Sequence, residues 1–295
     1  MKNSLYIFLL LFYFGSTAIQ AQHELSYQLK LGDSFKIAQK AVQNIKMTME
    51  GEDHNMTNTL AGVFDFKVQE ITEDSYIIRT SFQNFMFKTE SDIYGTLNDV
   101  DTSRETDEED IEANVFKGLI DVPFYITLRK DGKITSLDGV EALLDNMVKN
   151  AGIEDNFTRE LIKEGVSGQF GSESLSESIE QLTYLFPASK VAVSDSWQNE
   201  YTGDMKAQNT WTLDSYNDSE FVLSGTATVQ MKTNDDSVVM ELEGTQDSVA
   251  VIATDNGFLR SLKVEQQTKG ITTMNDMGGV EVDTTLDAII TYKRL

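Results

Sequence analysis

Between Leu137 and Pro187 apolar residues recur every three or four positions, whereas along most of the remaining chain they recur every second position. Those are the periods at which a helix and a strand, respectively, return side chains to one face. The pattern therefore confines the main helices to one central passage and predicts strands on both sides of it. Leu137, Val140, Leu143, Leu144, Met147, Val148 and Ala151 share a helical face, with Asp138 and Glu141 as a capping pair and Gly152 as the stop. Phe157, Leu161 and Ile162 are the expected inward face of a second, short helix closed by Gly165. Gly165, Gly168 and Gly171 then read as a flexible link. Ser172 is expected to cap a third helix with the stripe Leu175, Ile179, Leu182 and Phe186, ended by Pro187. Each helix has a single apolar face, so the flanking strands must cover it.

The strands read as follows. Tyr27, Leu29 and Leu31 alternate, then Phe35 and Ile37, then Ile45, Met47 and Met49. Gly51 to Asn58 is polar and reads as a loop. Phe64, Phe66 and Val68 are answered by Tyr76, Ile78, Thr80 and Phe82, and a bulge carries that strand on to Phe85 and Phe87. Asp131-Gly132 and Asn256-Gly257 are hairpin signals. From Val280 to Tyr292 one face is apolar and the other carries Glu281, Asp283, Thr285 and Asp287, the pattern of an antiparallel strand with one wet face. The expected fold class is α+β: a large curved antiparallel β-sheet, half-barrel-like, with a central three-helix insert packed on one face. Residues 1–21 read as a signal peptide and 22–295 as one α+β domain, with a first β half (22–136), the helical insert (137–187) and a second β half (188–295).

Targeting and charge narrow the function classes. Lys2, the apolar run Leu5–Phe14 and the small-residue end Ser16–Ala21 have the signal-peptide form, and no Cys follows to make a lipoprotein. A periplasmic or secreted location is expected, with no transmembrane segment in the mature chain. The sequence contains no Cys at all, which excludes a disulfide framework and thiolate chemistry. The net charge of −24 argues against nucleic acid and against anionic membrane surfaces. Asn98 to Glu112 concentrates acidic residues and reads as a solvated loop. Asp99, Asp101 and Ser103 have the spacing that opens a calcium loop, but Arg104 stands where that loop needs glycine.

The two β halves echo one another. Gly32-Asp33-Ser34-Phe35 recurs as Ser194-Asp195-Ser196-Trp197, and Phe66, Val68, Tyr76, Ile78 and Met86 match Trp211, Leu213, Phe221, Leu223 and Met231 at a constant offset. Two unrelated meanders would also share alternation; the Asp-Ser-aromatic motif favours duplication. Together with Ala21-Gln22 at the end of the signal, Tyr27-x-Leu29-x-x-Gly32-Asp33-x-Phe35, Phe186-Pro187 and Val193-x-Asp195-x-Trp197, these features resemble a family of uncharacterised secreted proteins of Bacteroidota. That resemblance brings no catalytic residues. The expected architecture is also similar to the half-barrels of periplasmic lipoprotein carriers and related lipid-binding proteins.

No phosphate loop, metal-type His pair or nucleophile elbow is present, and His23 and His54 read as surface residues. A non-catalytic protein without cofactor or metal is expected. Its candidate ligand is a lipid or other hydrophobic small molecule, held between Leu143, Met147, Leu161, Leu182 and Phe186 on the helices and Phe64, Phe66 and Phe82 on the sheet. The same residues would otherwise form a filled core. The alternative function is an envelope interaction or structural protein whose acidic surface meets a basic protein partner.

Overall fold

The computed structural model describes residues 22–49, 51–107, 109–234 and 237–295; the expected signal segment lies outside the described residues. The strands are β1 (Ser34–Met49), β2 (Glu52–Ile71), β3 (Ser75–Ser91), β4 (Gly95–Asp101), β5 (Phe124–Arg129), β6 (Ile134–Asp138), β7 (Ser196–Tyr201), β8 (Met205–Tyr216), β9 (Glu220–Asn234), β10 (Val238–Ala253), β11 (Leu259–Met274) and β12 (Val280–Arg294). All join one sheet in the order β6-β5-β3-β2-β1-β12-β11-β10-β9-β8-β7, with β4 added to the distal part of β3. Every strand pair is antiparallel. The first and last strands meet at the centre, from Ile37 opposite Arg294 to Thr48 opposite Asp283. The expected large antiparallel sheet with a helical insert is thus the observed fold.

The sheet is rolled. Both of its edges reach the C-terminal part of the helical insert: the Ile134 amide on β6 donates to Glu180 Oε1 (2.8 Å), and Trp197 Nε1 on β7 donates to the Leu185 carbonyl (2.9 Å). The stretch from Ser26 to Leu31, expected as a strand with Tyr27, Leu29 and Leu31 inward, is not one: Leu31 is exposed, and residues 23–29 instead close one end of the roll. Tyr27 N donates to Lys130 O and Gln28 N to Asn256 O, so this segment ties two hairpins together rather than entering the sheet. Its alternation was a burial signal only: Leu25, Tyr27 and Leu29 point into the core.

The helices are α1 (Ile111–Lys117), α2 (Val140–Asn150), α3 (Asn156–Phe170) and α4 (Ser172–Thr183). The α2 stripe is buried as its spacing requires, although Gly139 rather than Asp138 occupies the N-cap, because Asp138 is the last residue of β6. Helix α3 differs from expectation. It runs unbroken through Gly165 and Gly168, each of which costs about 1 kcal/mol relative to alanine but does not stop the helix. The longer helix turns a different face inward, built from Ile162, Val166 and Phe170. Leu161 sits one position, about 100°, away from that face, and is 52% exposed; Phe157 is 72% exposed.

Two stretches read as loops are ordered. Residues 52–58 belong to β2, because β1 and β3 both extend alongside and complete its ladder despite its polar composition. The two ends of the acidic stretch enter β4 and α1, with Asp110 Oδ1 accepting from Ala113 N (3.0 Å) at the helix start. Arg104 binds Asp99 (3.0 Å) and Asp101 (3.2 Å), so the two carboxylates that opened the calcium-like spacing face a guanidinium.

The internal repeat is visible in backbone hydrogen bonds. Gly32 N donates to Val68 O as Ser194 N donates to Leu213 O, and Val68 N donates to Asp33 O as Leu213 N donates to Asp195 O. Asp33 Oδ2 accepts from Lys30 N, and Asp195 Oδ2 from Ala192 N, both at 2.8 Å. The ladder of β2 with β3 shifts register between Val68 and Glu70, and that of β8 with β9 between Leu213 and Ser215, the same places under an offset of 145 (68 to 213, 70 to 215). One difference is informative. The turn needs a left-handed residue, supplied as Gly32 (φ 86°) in the first copy and Ser194 (φ 73°) in the second. A side-chain-bearing residue there costs roughly 1–2 kcal/mol, partly offset by the extra freedom glycine gives the unfolded chain. Ser194→Gly is expected to stabilise the protein by about 0.5–1 kcal/mol, read as a higher urea midpoint with an unchanged slope.

Candidate functional site: the concave face of the sheet

The structure brings seven of the eight candidate site residues together. Phe64, Phe66, Phe82, Leu143, Met147, Leu182 and Phe186 belong to one buried cluster. The Phe64 and Phe82 rings are 4.8 Å apart, and Phe186 meets Tyr27 edge-on at 5.0 Å. These side chains fill the space between helices and sheet at the end closed by segment 23–29, and none of them lines a cavity described below. Leu161, on the outer side of α3, is not part of the cluster.

The rest of the concave face has a different character. On β1 the inward residues beyond Ile37 are Gln39, Ala41, Gln43, Ile45, Met47 and Met49; on β12 they are Val282, Thr284, Leu286, Ala288, Ile290 and Tyr292. Inward positions of β10 and β11 include Leu242, Gln246 and Ser248, and Val264, Gln266, Thr268 and Thr272. Alternation places every Lys, Arg, Asp and Glu of β1, β10, β11 and β12 other than Arg294, the last residue of β12, on the opposite face. Among the described residues, the inward positions of β8 and β9 likewise hold no formal charge, and those of β2 hold only Glu52, exposed at the start of the strand opposite Met49.

Helix α4 covers this face only in part. Along its edge lies an open pocket of about 200 Å³. Its polar lining comes from Gln39, Gln43, Asn58, Ser178, Gln181 and Tyr292; its apolar lining is Ala41, Leu60, Phe87 and Ile290. A much smaller space of about 10 Å³ adjoins it through Gln181, Ile290 and Tyr292, and reaches Tyr201, Trp211, Gln246 and Ser248. That is about the room one water needs. Burial pushes the Tyr292 phenol up to about 12 and raises that of Tyr201 further, so both are neutral hydroxyls at physiological pH. Gln39 Nε2 lies 3.4 Å from the Tyr292 hydroxyl, and Asn58 Oδ1 accepts from Thr89 (2.9 Å). Among the described residues, the side chains of Gln43, Ser178 and Gln181 have no hydrogen-bond partner.

Beyond the pocket the face becomes methionine-rich. Met47, Met56, Met231 and Met240 converge from four strands onto Ile45, Leu242, Leu286 and Ala288. His54, opposite Met47 in the ladder, belongs to this part of β2; it is half-buried, and its Nδ1 is enclosed without a partner. His23 is half-buried as well, 3.7 Å from the Tyr216 ring. Neither histidine is the surface residue its sequence neighbours implied. The sequence did contain the signal for the pocket, in Gln39-x-Ala41-x-Gln43, where strand alternation places amides inward; polar residues are simply not read as interior until the sheet is seen to roll.

Three larger depressions lie elsewhere; the smallest, of about 390 Å³, spans β7 to β11. One of about 770 Å³ crosses the outer face over β9 to β12 and β1, where Lys46, Lys232 and Lys269 are interspersed with Glu241, Glu243 and Asp283. Another of about 940 Å³ lies at the closed end, between residues 24–26, the hairpin at 129–131 and residues 187–190. Both are charged and open to solvent. No helix among the described residues is long and apolar enough to cross a membrane.

Fold and face together define an α+β protein with one large open antiparallel sheet, a helical insert and a concave surface charged only at the strand ends Glu52 and Arg294. The chain belongs to DUF6263, a family of unknown function, whose pattern matches residues 73–259. No curated protein matches it. Among solved structures it is similar to lipovitellin, with 11% identity and a TM-score of 0.49, over 90% of this chain and 25% of that one. The chain therefore spans about a quarter of lipovitellin's length. It is more loosely similar to DynF of the dynemicin biosynthesis pathway of Micromonospora chersina (7% identity, TM-score 0.23, 92% of this chain and 85% of that one). A protein with a YmcC-like fold from Bacteroides fragilis shares 8% identity, with a TM-score of 0.16, over 90% of this chain and 97% of that one.

Proposed function

We propose that the protein is an exported, non-catalytic binder of a hydrophobic or amphiphilic small molecule, held on the concave face beyond α4. The observation that carries this reading is the absence of formal charge, Arg294 at the end of β12 apart, from the inward positions of β1, β10, β11 and β12, in a chain of net charge −24. Solubility alone needs charge on the outer face; it does not require a pocket edge of amides and hydroxyls leading to half-buried methionines. Methionine is unbranched and polarizable, and reshapes around an apolar guest at low cost. The polar groups at the pocket are amides, a hydroxyl and a neutral phenol, none of them ionised to serve as base or nucleophile, which supports binding rather than catalysis. Export rests on the signal-peptide form of residues 1–21.

Native mass spectrometry of the mature protein, purified without detergent from the cells that make it, tests the reading. A discrete added mass that solvent extraction removes is the expected result. An apo mass, together with no uptake of the neutral apolar dye Nile red, overturns it.

A further inference from the structure

The lining of the 200 Å³ pocket is specific about the ligand's polar end. None of its ten residues is charged, although 24% of the chain is Asp, Glu, Lys or Arg. Moving an ion from water into a site without a counter-charge carries a large desolvation cost, and an anion would also meet the field of a protein with net charge −24. The groups that are present are bifunctional. A glutamine amide offers two donors and an acceptor, and a serine hydroxyl donates and accepts. Gln43 and Gln181 approach the pocket from β1 and α4, and with Ser178 they have no hydrogen-bond partner among the described residues. Phe87, Leu60 and Ala41 supply the apolar wall, and the next inward residues along β1 are Ile45 and Met47 of the methionine cluster.

We infer that the pocket between α4 and β1–β3 holds the uncharged, hydrogen-bonding end of an amphiphile, an ester, amide or hydroxyl group as in a monoacylglycerol, and discriminates against carboxylates and phosphates. This rests on the reading of the concave face as a ligand site. Gln43, Gln181 and Ser178 grip the headgroup, while the chain runs along the concave side of β1 and β2 toward Met47 and Met56.

The full mature chain, stripped of bound lipid, is titrated calorimetrically at neutral pH with monolauroylglycerol and, separately, with laurate, both below their micelle concentrations. These probes share a chain length and differ in head charge. Monolauroylglycerol is expected to bind at least about tenfold more tightly. Gln43→Glu and Gln181→Glu, made separately so that one folding failure leaves the other, are each expected to weaken monolauroylglycerol binding by about tenfold or more. The thermal midpoint of each variant is measured alongside. Equal affinity for the two probes, or variants that fold and bind monolauroylglycerol as the parent does, overturns the headgroup assignment while leaving the concave-face site standing. Binding of neither probe removes both.

Discussion

Trp211→Ala is expected to destabilise the protein by about 3–5 kcal/mol, the range for removing a large aromatic from a core. Trp211 is the largest fully buried side chain, 1% exposed, on β8 opposite Trp197. Its ring lies over Gly225 of β9, so close that a Cβ there would come within 2.7 Å of it. Its Nε1 donates to Asn199 Oδ1 (3.2 Å). The ring also walls the 10 Å³ space beneath α4. Truncation would open that space into a real cavity beside the pocket and strand the Asn199 acceptor. A fall in thermal midpoint of about 10 °C follows for a chain of this size, and differential scanning calorimetry measures it. Trp211→Phe retains most of the volume and loses only the hydrogen bond, so its cost should be nearer 1–2 kcal/mol. Equal losses for the two variants would mean that packing around this ring is not what holds the second β half to the helices.

A comparable loss is expected from Gly132→Val, which acts on the join between sheet and insert rather than on the core. Gly132 has φ 95°, and a Cβ built there would sit 1.9 Å from the Thr183 carbonyl oxygen at the end of α4. Thr183 Oγ1 in turn donates to the Gly132 carbonyl (2.8 Å). The β5–β6 hairpin and the end of α4 are therefore backbone to backbone, and any side chain separates them. Backbone strain of about 1–3 kcal/mol adds to displacement of the helix end, so a total of about 3 kcal/mol or more is expected. Gly152→Ala is the control: its φ is 71°, and nothing lies within 4 Å of a new Cβ. It should lose only about 1 kcal/mol. Guanidinium unfolding of both variants, followed by the fluorescence of the chain's two tryptophans, separates strain from steric displacement. Gly132→Val should also raise hydrogen exchange in α4 before it affects β10–β12.

Much of this molecule was legible because two periods of burial do not overlap. The alternation from Val280 to Tyr292 predicted the inward and outward faces of β12 residue by residue, since a strand's side chains have no third direction. The α2 stripe was legible for the same reason at the helical period. The repeated Asp-Ser-aromatic motif proved to be one turn built twice, carboxylate, left-handed residue and register shift included. Local chemistry fixes such features, and local chemistry is written in neighbouring residues.

Other features depended on what distant segments supply. Helix α3 passes through two glycines because its partners Ile162, Val166 and Phe170 are held in the core, and packing outweighs a propensity cost of about 1 kcal/mol per glycine. That register put Leu161 in solvent. Residues 52–58 became strand because both neighbours were there to pair with them. Segment 23–29 alternates like a strand but plugs one end, since no open sheet edge reaches it. The candidate site shows the same division. The sequence determined which residues face inward, and so that the concave face carries amides, hydroxyls and methionines, with charge only at the strand ends Glu52 and Arg294. Only the tertiary structure decided where that face is filled and where it is open. The roll of the sheet and the length of α4 bring phenylalanines together into a solid core at one end and leave Gln43, Gln181 and Ser178 around a space at the other. Burial by a remote element is a property of the assembled layers, and no short stretch of sequence encodes it.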